Sequence, residues 1–104
     1  MHIEVELGED VGTVDVRGEV DRFAAPRLQR TMERLLRSGI RELVIDCQGI
    51  EFIDSYGLSA IVDSHRRIEA AGGHLRVGAL SATARRLLEM TGLLQPLTDG
   101  DLNG

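Results

Sequence analysis

Apolar positions along this chain change period several times, and each change marks an element. Ile3, Val5 and Leu7 alternate with Glu4 and Glu6, which predicts a half-exposed strand. After Gly8-Glu9-Asp10, Val11, Val14 and Val16 resume as its hairpin partner. Gly18-Glu19-Val20-Asp21 reads as a turn. From Pro26, which suits a first helical turn, Leu28, Met32, Leu35 and Leu36 form an apolar stripe that ends at Ser38-Gly39.

The second half repeats a strand-helix alternation. Glu42 to Asp46, with β-branched Val44-Ile45, predicts a strand. Leu58, Ile61, Val62, His65 and Ile68 then recur at helical spacing over Gly57 to Ala71, and Gly72-Gly73 stops that helix. A short strand follows over Leu75 to Gly78, and Ser81 caps a third helix bearing Ala84, Leu87, Leu88 and Thr91 on one face before Gly92. Leu93 to Leu97 supplies either a last strand or a packed tail, and the polar, glycine-rich 98–104 reads as a flexible end. Parallel neighbours require helical crossovers, so the expected class is α/β: one mixed β-sheet with an N-terminal hairpin and a parallel core carrying helices. At 104 residues this is expected to be a single domain, 1–104.

Composition narrows the chemistry. The three aromatics, Phe23, Phe52 and Tyr56, leave the core to aliphatic residues and offer no broad platform for stacking bases. A net charge of -5 argues against direct nucleic-acid binding through the overall field. Cys47, the single cysteine, can form no intrachain disulfide, so a reducing compartment is expected. Apolar runs fall far short of the ~20 residues that span a bilayer, and the N-terminus has neither a basic region nor an apolar signal core, which together point to a cytoplasmic protein without membrane insertion. His2, His65, His74 and Cys47 lack the close spacing of metal ligands, and no phosphate-binding glycine loop occurs, so neither metal nor cofactor is expected.

The remaining candidate chemistry centres on Ser55, flanked by Asp54 and lying where a buried strand meets a helix start. A serine there can cap unpaired helical N–H groups, and a phosphate on the same oxygen would meet the positive end of the helix dipole. From position alone Ser55 is therefore either an ordinary cap or a phosphoacceptor. Asp54 either orients the Ser55 hydroxyl or acts as a cap itself. A hydrolytic serine is disfavoured: there is no G-x-S-x-G elbow, and His65 lies ten residues along the same helix, where a half-buried packing role accounts for it. Arg27, Arg30, Arg34, Arg37 and Arg41 recur every three or four residues opposite the apolar stripe, as either a solvated face or a docking surface for an acidic partner.

Three segments in this order resemble the STAS domain, and in particular stand-alone bacterial anti-sigma factor antagonists. They are Gly18-Glu19-Val20-Asp21 before Ala25-Pro26-Arg27-Leu28, then Leu43-Val44-Ile45-Asp46 leading to Phe52-Ile53-Asp54-Ser55-Tyr56-Gly57-Leu58, and finally Arg86-Leu87-Leu88-Glu89-Met90-Thr91-Gly92-Leu93. The resemblance implies a mixed sheet with helices mainly on one face. It also implies a non-enzymatic partner-switching protein phosphorylated at Ser55 by an anti-sigma factor with serine kinase activity and restored by a serine phosphatase. Asp21, Asp54, Tyr56 and Gly57 become the implied partner-binding residues. The same family includes non-switching scaffold subunits of stress-sensing or ABC lipid-transport complexes, the alternative function. Two features depart from the family pattern: Tyr56 stands where serine or threonine is usual, and 98–104 is too short for the family's additional amphipathic helix.

Overall fold

The structure is a computed structural model that describes residues 1–98. Its elements are β1 (His2–Leu7), β2 (Gly12–Val20), α1 (Ala25–Arg37), β3 (Glu42–Ile53), α2 (Ser55–Ala70), β4 (His74–Leu80), α3 (Ala82–Thr91) and α4 (Leu94–Thr98). One sheet runs in the order β1-β2-β3-β4, with β1 antiparallel to β2 and both later pairs parallel. The hairpin register sets Ile3 against Val16 and Val5 against Val14, as the alternation predicts.

Successive strands are added in one direction across the sheet. Right-handed crossovers then leave α1 and α2 on the same face. Strand burial agrees: Val14, Val16, Leu43, Ile45, Cys47, Leu75 and Val77 are buried, whereas Thr13, Asp15, Val44, Asp46 and Arg76 on the alternate positions are not. Leu28, Met32 and Leu35 of α1 and Ala60, Ile61 and Ile68 of α2 close the core from the helix side.

Beyond shifts of one or two residues at the ends of α2 and β4, three regions differ from the sequence reading. Strand β3 continues past Asp46 to Ile53, because Gln48-Gly49 forms an irregularity within the strand rather than its end. The register steps from Asp15↔Asp46 to Arg17↔Gly49, while Asp46 Oδ1 accepts a hydrogen bond from Gln48 N at 2.9 Å. Gly18-Glu19-Val20, read as a turn, is the end of β2; Gly18 takes φ +87° at a second register step, which a side chain would resist. Of the two alternatives for Leu93 to Leu97, the structure takes the packed tail and not the strand: residues 94–98 form a short helix with Leu97 buried and Leu97 N donating to Leu93 O at 3.1 Å. Apart from Thr98, which ends α4, the predicted flexible end lies outside the described residues.

Candidate functional site

The site is built where β2 and β3 end side by side, with Val20 opposite Ile53. Each strand exits through an aspartate that organises the helix behind it. Asp21 Oδ1 accepts hydrogen bonds from Phe23 N (3.1 Å) and Ala24 N (2.9 Å), and its carbonyl accepts from Ala25 N at 2.9 Å. The turn is thereby closed just ahead of α1, whose N-cap Ala24 has no side-chain acceptor of its own.

Asp54 does more. It is the N-cap of α2, with Oδ1 accepting from both Tyr56 N and Gly57 N at 2.9 Å. Its second oxygen, Oδ2, accepts from Arg22 N at 3.1 Å, which ties the β2–α1 turn to the start of α2. Asp54 therefore performs the capping itself, and Ser55, the first residue of α2, has no hydrogen bond to its hydroxyl among the described residues and is exposed. The carboxylate is directed at backbone N–H groups, not at the serine.

Gly57 fixes how closely this corner packs. It is buried, and a Cβ there would overlap the Val20 carbonyl oxygen and crowd the Val20 and Ile53 side chains. The first turn of α2 thus sits directly on the ends of β2 and β3, bringing Asp21, Asp54 and Ser55 to one corner.

All three aromatics of the chain are solvent-exposed at this end: Phe23 is 80%, Tyr56 55% and Phe52 49% accessible. The Arg22 guanidinium lies over the Phe23 ring, 4.9 Å from its centroid. Tyr56 belongs to the sequence-based site; Arg22, Phe23 and Phe52 do not. Their signal was the placement of scarce aromatics in short segments around polar turns.

His65 is not part of this corner. It is 1% exposed rather than half-buried, Nε2 has no hydrogen-bond partner, and the nearest carboxylate oxygen, Glu69 Oε2, is 4.0 Å away. Burial lowers its pKa from the ordinary histidine value, with Glu69 opposing. Among the described residues, no group of three His, Cys, Asp or Glu side chains could hold a metal ion, and no helix is long and apolar enough to cross a membrane.

A mixed four-stranded sheet with helices on one face and an exposed serine at a strand-to-helix junction defines the class of domain. The chain belongs to the STAS domain family, whose profile matches residues 2–98. It is 30% identical to the anti-sigma-B factor antagonist of Bacillus subtilis (strain 168) over 93 residues, covering 89% of this chain and 84% of that protein. An anti-sigma factor antagonist from Mycobacterium paratuberculosis superposes with a TM-score of 0.79 at 30% identity, over 88% of this chain and 78% of that one. The Bacillus cell fate determinant SpoIIAA in its phosphorylated form shares the fold, with a TM-score of 0.76 at 20% identity over 93% of this chain and 88% of that one.

Proposed function

We propose that this protein is an anti-sigma factor antagonist that works by partner switching at Ser55. With the hydroxyl unmodified, the corner formed by Asp21, Asp54, Tyr56 and Gly57 binds an anti-sigma factor that is also a serine kinase. Transfer of the γ-phosphoryl group of ATP to Ser55 Oγ releases ADP and ends the complex, and a serine phosphatase hydrolyses the phosphoserine to restore it. The role is regulatory binding rather than catalysis by this chain.

The observation that carries this reading is the division of labour at the start of α2. Asp54 takes the Tyr56 and Gly57 N–H groups, while the Ser55 hydroxyl is exposed. Modifying Ser55 therefore breaks no hydrogen bond that holds the fold. A phosphoserine adds about -1.5 to -2 charge at neutral pH directly beside the Asp54 carboxylate. That charge disfavours an interface which has closed over a neutral hydroxyl, while the dipole of α2 limits its cost to the helix.

The test is incubation with ATP and the candidate kinase, followed by intact-mass measurement and a binding assay. One phosphate should appear on the wild type and none on Ser55→Ala. The phosphorylated form should lose partner binding with its thermal midpoint unchanged. Unchanged partner affinity of Ser55→Asp, with no phosphate incorporated, would instead identify a non-switching scaffold subunit.

A further inference from the structure

The outer face of α1 carries a row of arginines that the Ser55 corner does not use. Arg27, Arg30, Arg34, Arg37 and Arg41 are all exposed, opposite the buried Leu28, Met32 and Leu35. Four of the chain's 12 Lys and Arg residues stand on this helix, and Arg41 follows at its exit, in a protein whose net charge is -5. The helical part of the row, Arg27 to Arg37, spans about 15 Å at 1.5 Å per residue.

Internal pairing does not account for it. Among the described residues, Arg30, Arg34 and Arg37 have no carboxylate within 4.0 Å and no hydrogen-bonded side-chain partner. Arg27 donates to the Met1 carbonyl at 3.0 Å, and Arg41 donates to the carbonyls of Leu36 and Ile40 at 2.9 and 3.1 Å, so both keep their positive charge unbalanced. The single carboxylate of α1, Glu33, is turned to the neighbouring helix, where Arg67 of α2 holds it at 2.9 Å. The helix's own carboxylate is thus engaged with α2 rather than with the row.

Helix stability explains only two of the five arginines. Arg34 and Arg37 sit in the last turn, where a cation suits the negative end of the helix dipole. Arg27 and Arg30 lie toward the positive end, in a helix with no acidic residue in its first turn. Like charges three and four residues apart also repel.

We propose that the arginine face of α1 is a second docking surface, and that its occupant is an acidic helix of a partner protein lying along α1. The spacing of the row matches carboxylates repeated every three or four residues on such a helix. A membrane surface fits less well, because the large exposed apolar side chains of this protein include none on α1 that could enter lipid. Nucleic acid fits less well because the acidic remainder of the molecule repels a phosphate backbone, whereas a local acidic helix meets only the row. The docking does not involve the Ser55 hydroxyl.

The test uses the whole chain and a labelled alanine-based peptide with glutamates every three or four residues, titrated by fluorescence anisotropy at low and moderate salt. Binding should weaken as salt rises and fall at least about tenfold in Arg30→Glu/Arg34→Glu/Arg37→Glu. The control Arg76→Glu/Arg85→Glu/Arg86→Glu, which changes the net charge equally, should stay within about twofold, as should Ser55→Ala. If charge reversal unfolds the chain by circular dichroism, the Arg30→Gln/Arg34→Gln/Arg37→Gln variant replaces it and should still lose most of the affinity. Equal loss in the control overturns the proposal. So does tighter binding to phosphatidylglycerol vesicles or duplex DNA than to the peptide. Self-association by sedimentation that the α1 variant abolishes would assign the surface to a second copy of the chain and also overturn it.

Discussion

At Gly57 the backbone of α2 approaches β2 so closely that one added methyl group would overlap the Val20 carbonyl oxygen. Alanine would gain about 1 kcal/mol of helix propensity over glycine. Overpacking against rigid backbone costs typically about 1–3 kcal/mol and sometimes more, so the clash should win. Gly57→Ala is expected to lower stability by about that amount in urea unfolding, and an unchanged midpoint would mean that α2 can slide away from the sheet. Cys47 is the opposite kind of residue, defined by what it cannot do. Burial pushes its thiol up to about 12, with Asp46 and Asp15 adding to the effect, so the nucleophilic thiolate is scarce at any ordinary pH. Iodoacetamide should leave the native protein unmodified at pH 8 and alkylate it once urea has unfolded it. Rapid labelling of the native state would contradict the buried placement.

Among the elements, α2 depends on Asp54 and not on Ser55 for its start. Removing the carboxylate leaves Tyr56 N, Gly57 N and Arg22 N without their acceptor and unties the β2–α1 turn from the start of α2. Asp54→Ala should therefore cost about 0.5–2 kcal/mol, the usual range for a lost N-cap. Ser55→Ala should stay within about 0.5 kcal/mol of wild type, as exposed substitutions away from caps do. Paired thermal or urea melts of these two variants give a direct reading. A larger loss at Ser55 would make the serine a structural cap and weaken its assignment as a switch. The stripe patterns were legible at this scale: Pro26, Leu28, Met32 and Leu35 placed α1, and Ser81, whose Oγ accepts from Ala84 N at 3.1 Å, placed the start of α3. The extent of β3 was not legible, because Gln48-Gly49 has the composition of a turn. Only pairing with β2, with its register step, keeps the chain extended there.

At the scale of the whole molecule, His65 is buried with its Nε2 unpartnered among the described residues, and this makes stability sensitive to acid. The native pKa lies below the ordinary histidine value of about 6.5, so at lower pH the unfolded chain binds more protons than the folded one. The stabilisation is fully present above about pH 6.5 and declines as pH falls, by at most about 1.4 kcal/mol per pH unit for one group. His65→Leu should flatten the part of the thermal midpoint's decline below about pH 6.5 that belongs to this group. An identical decline in the variant would assign acid sensitivity to other groups. The amphipathic periods, the helix stops and the strand-to-helix placement of Ser55 were determined by the sequence alone, because they depend on neighbours a few residues apart. Only the tertiary structure decided that Asp54 rather than Ser55 caps α2, that Glu33 leaves the arginine row for Arg67, and that Phe23, Phe52 and Tyr56 stand exposed at one end. The Glu33–Arg67 pair depends on the packing of α1 on α2, and the Asp54 cap, although its partners lie only two and three residues on, is fixed by the close seat of Gly57 on Val20 and by Arg22 N of the β2–α1 turn, which no local period records.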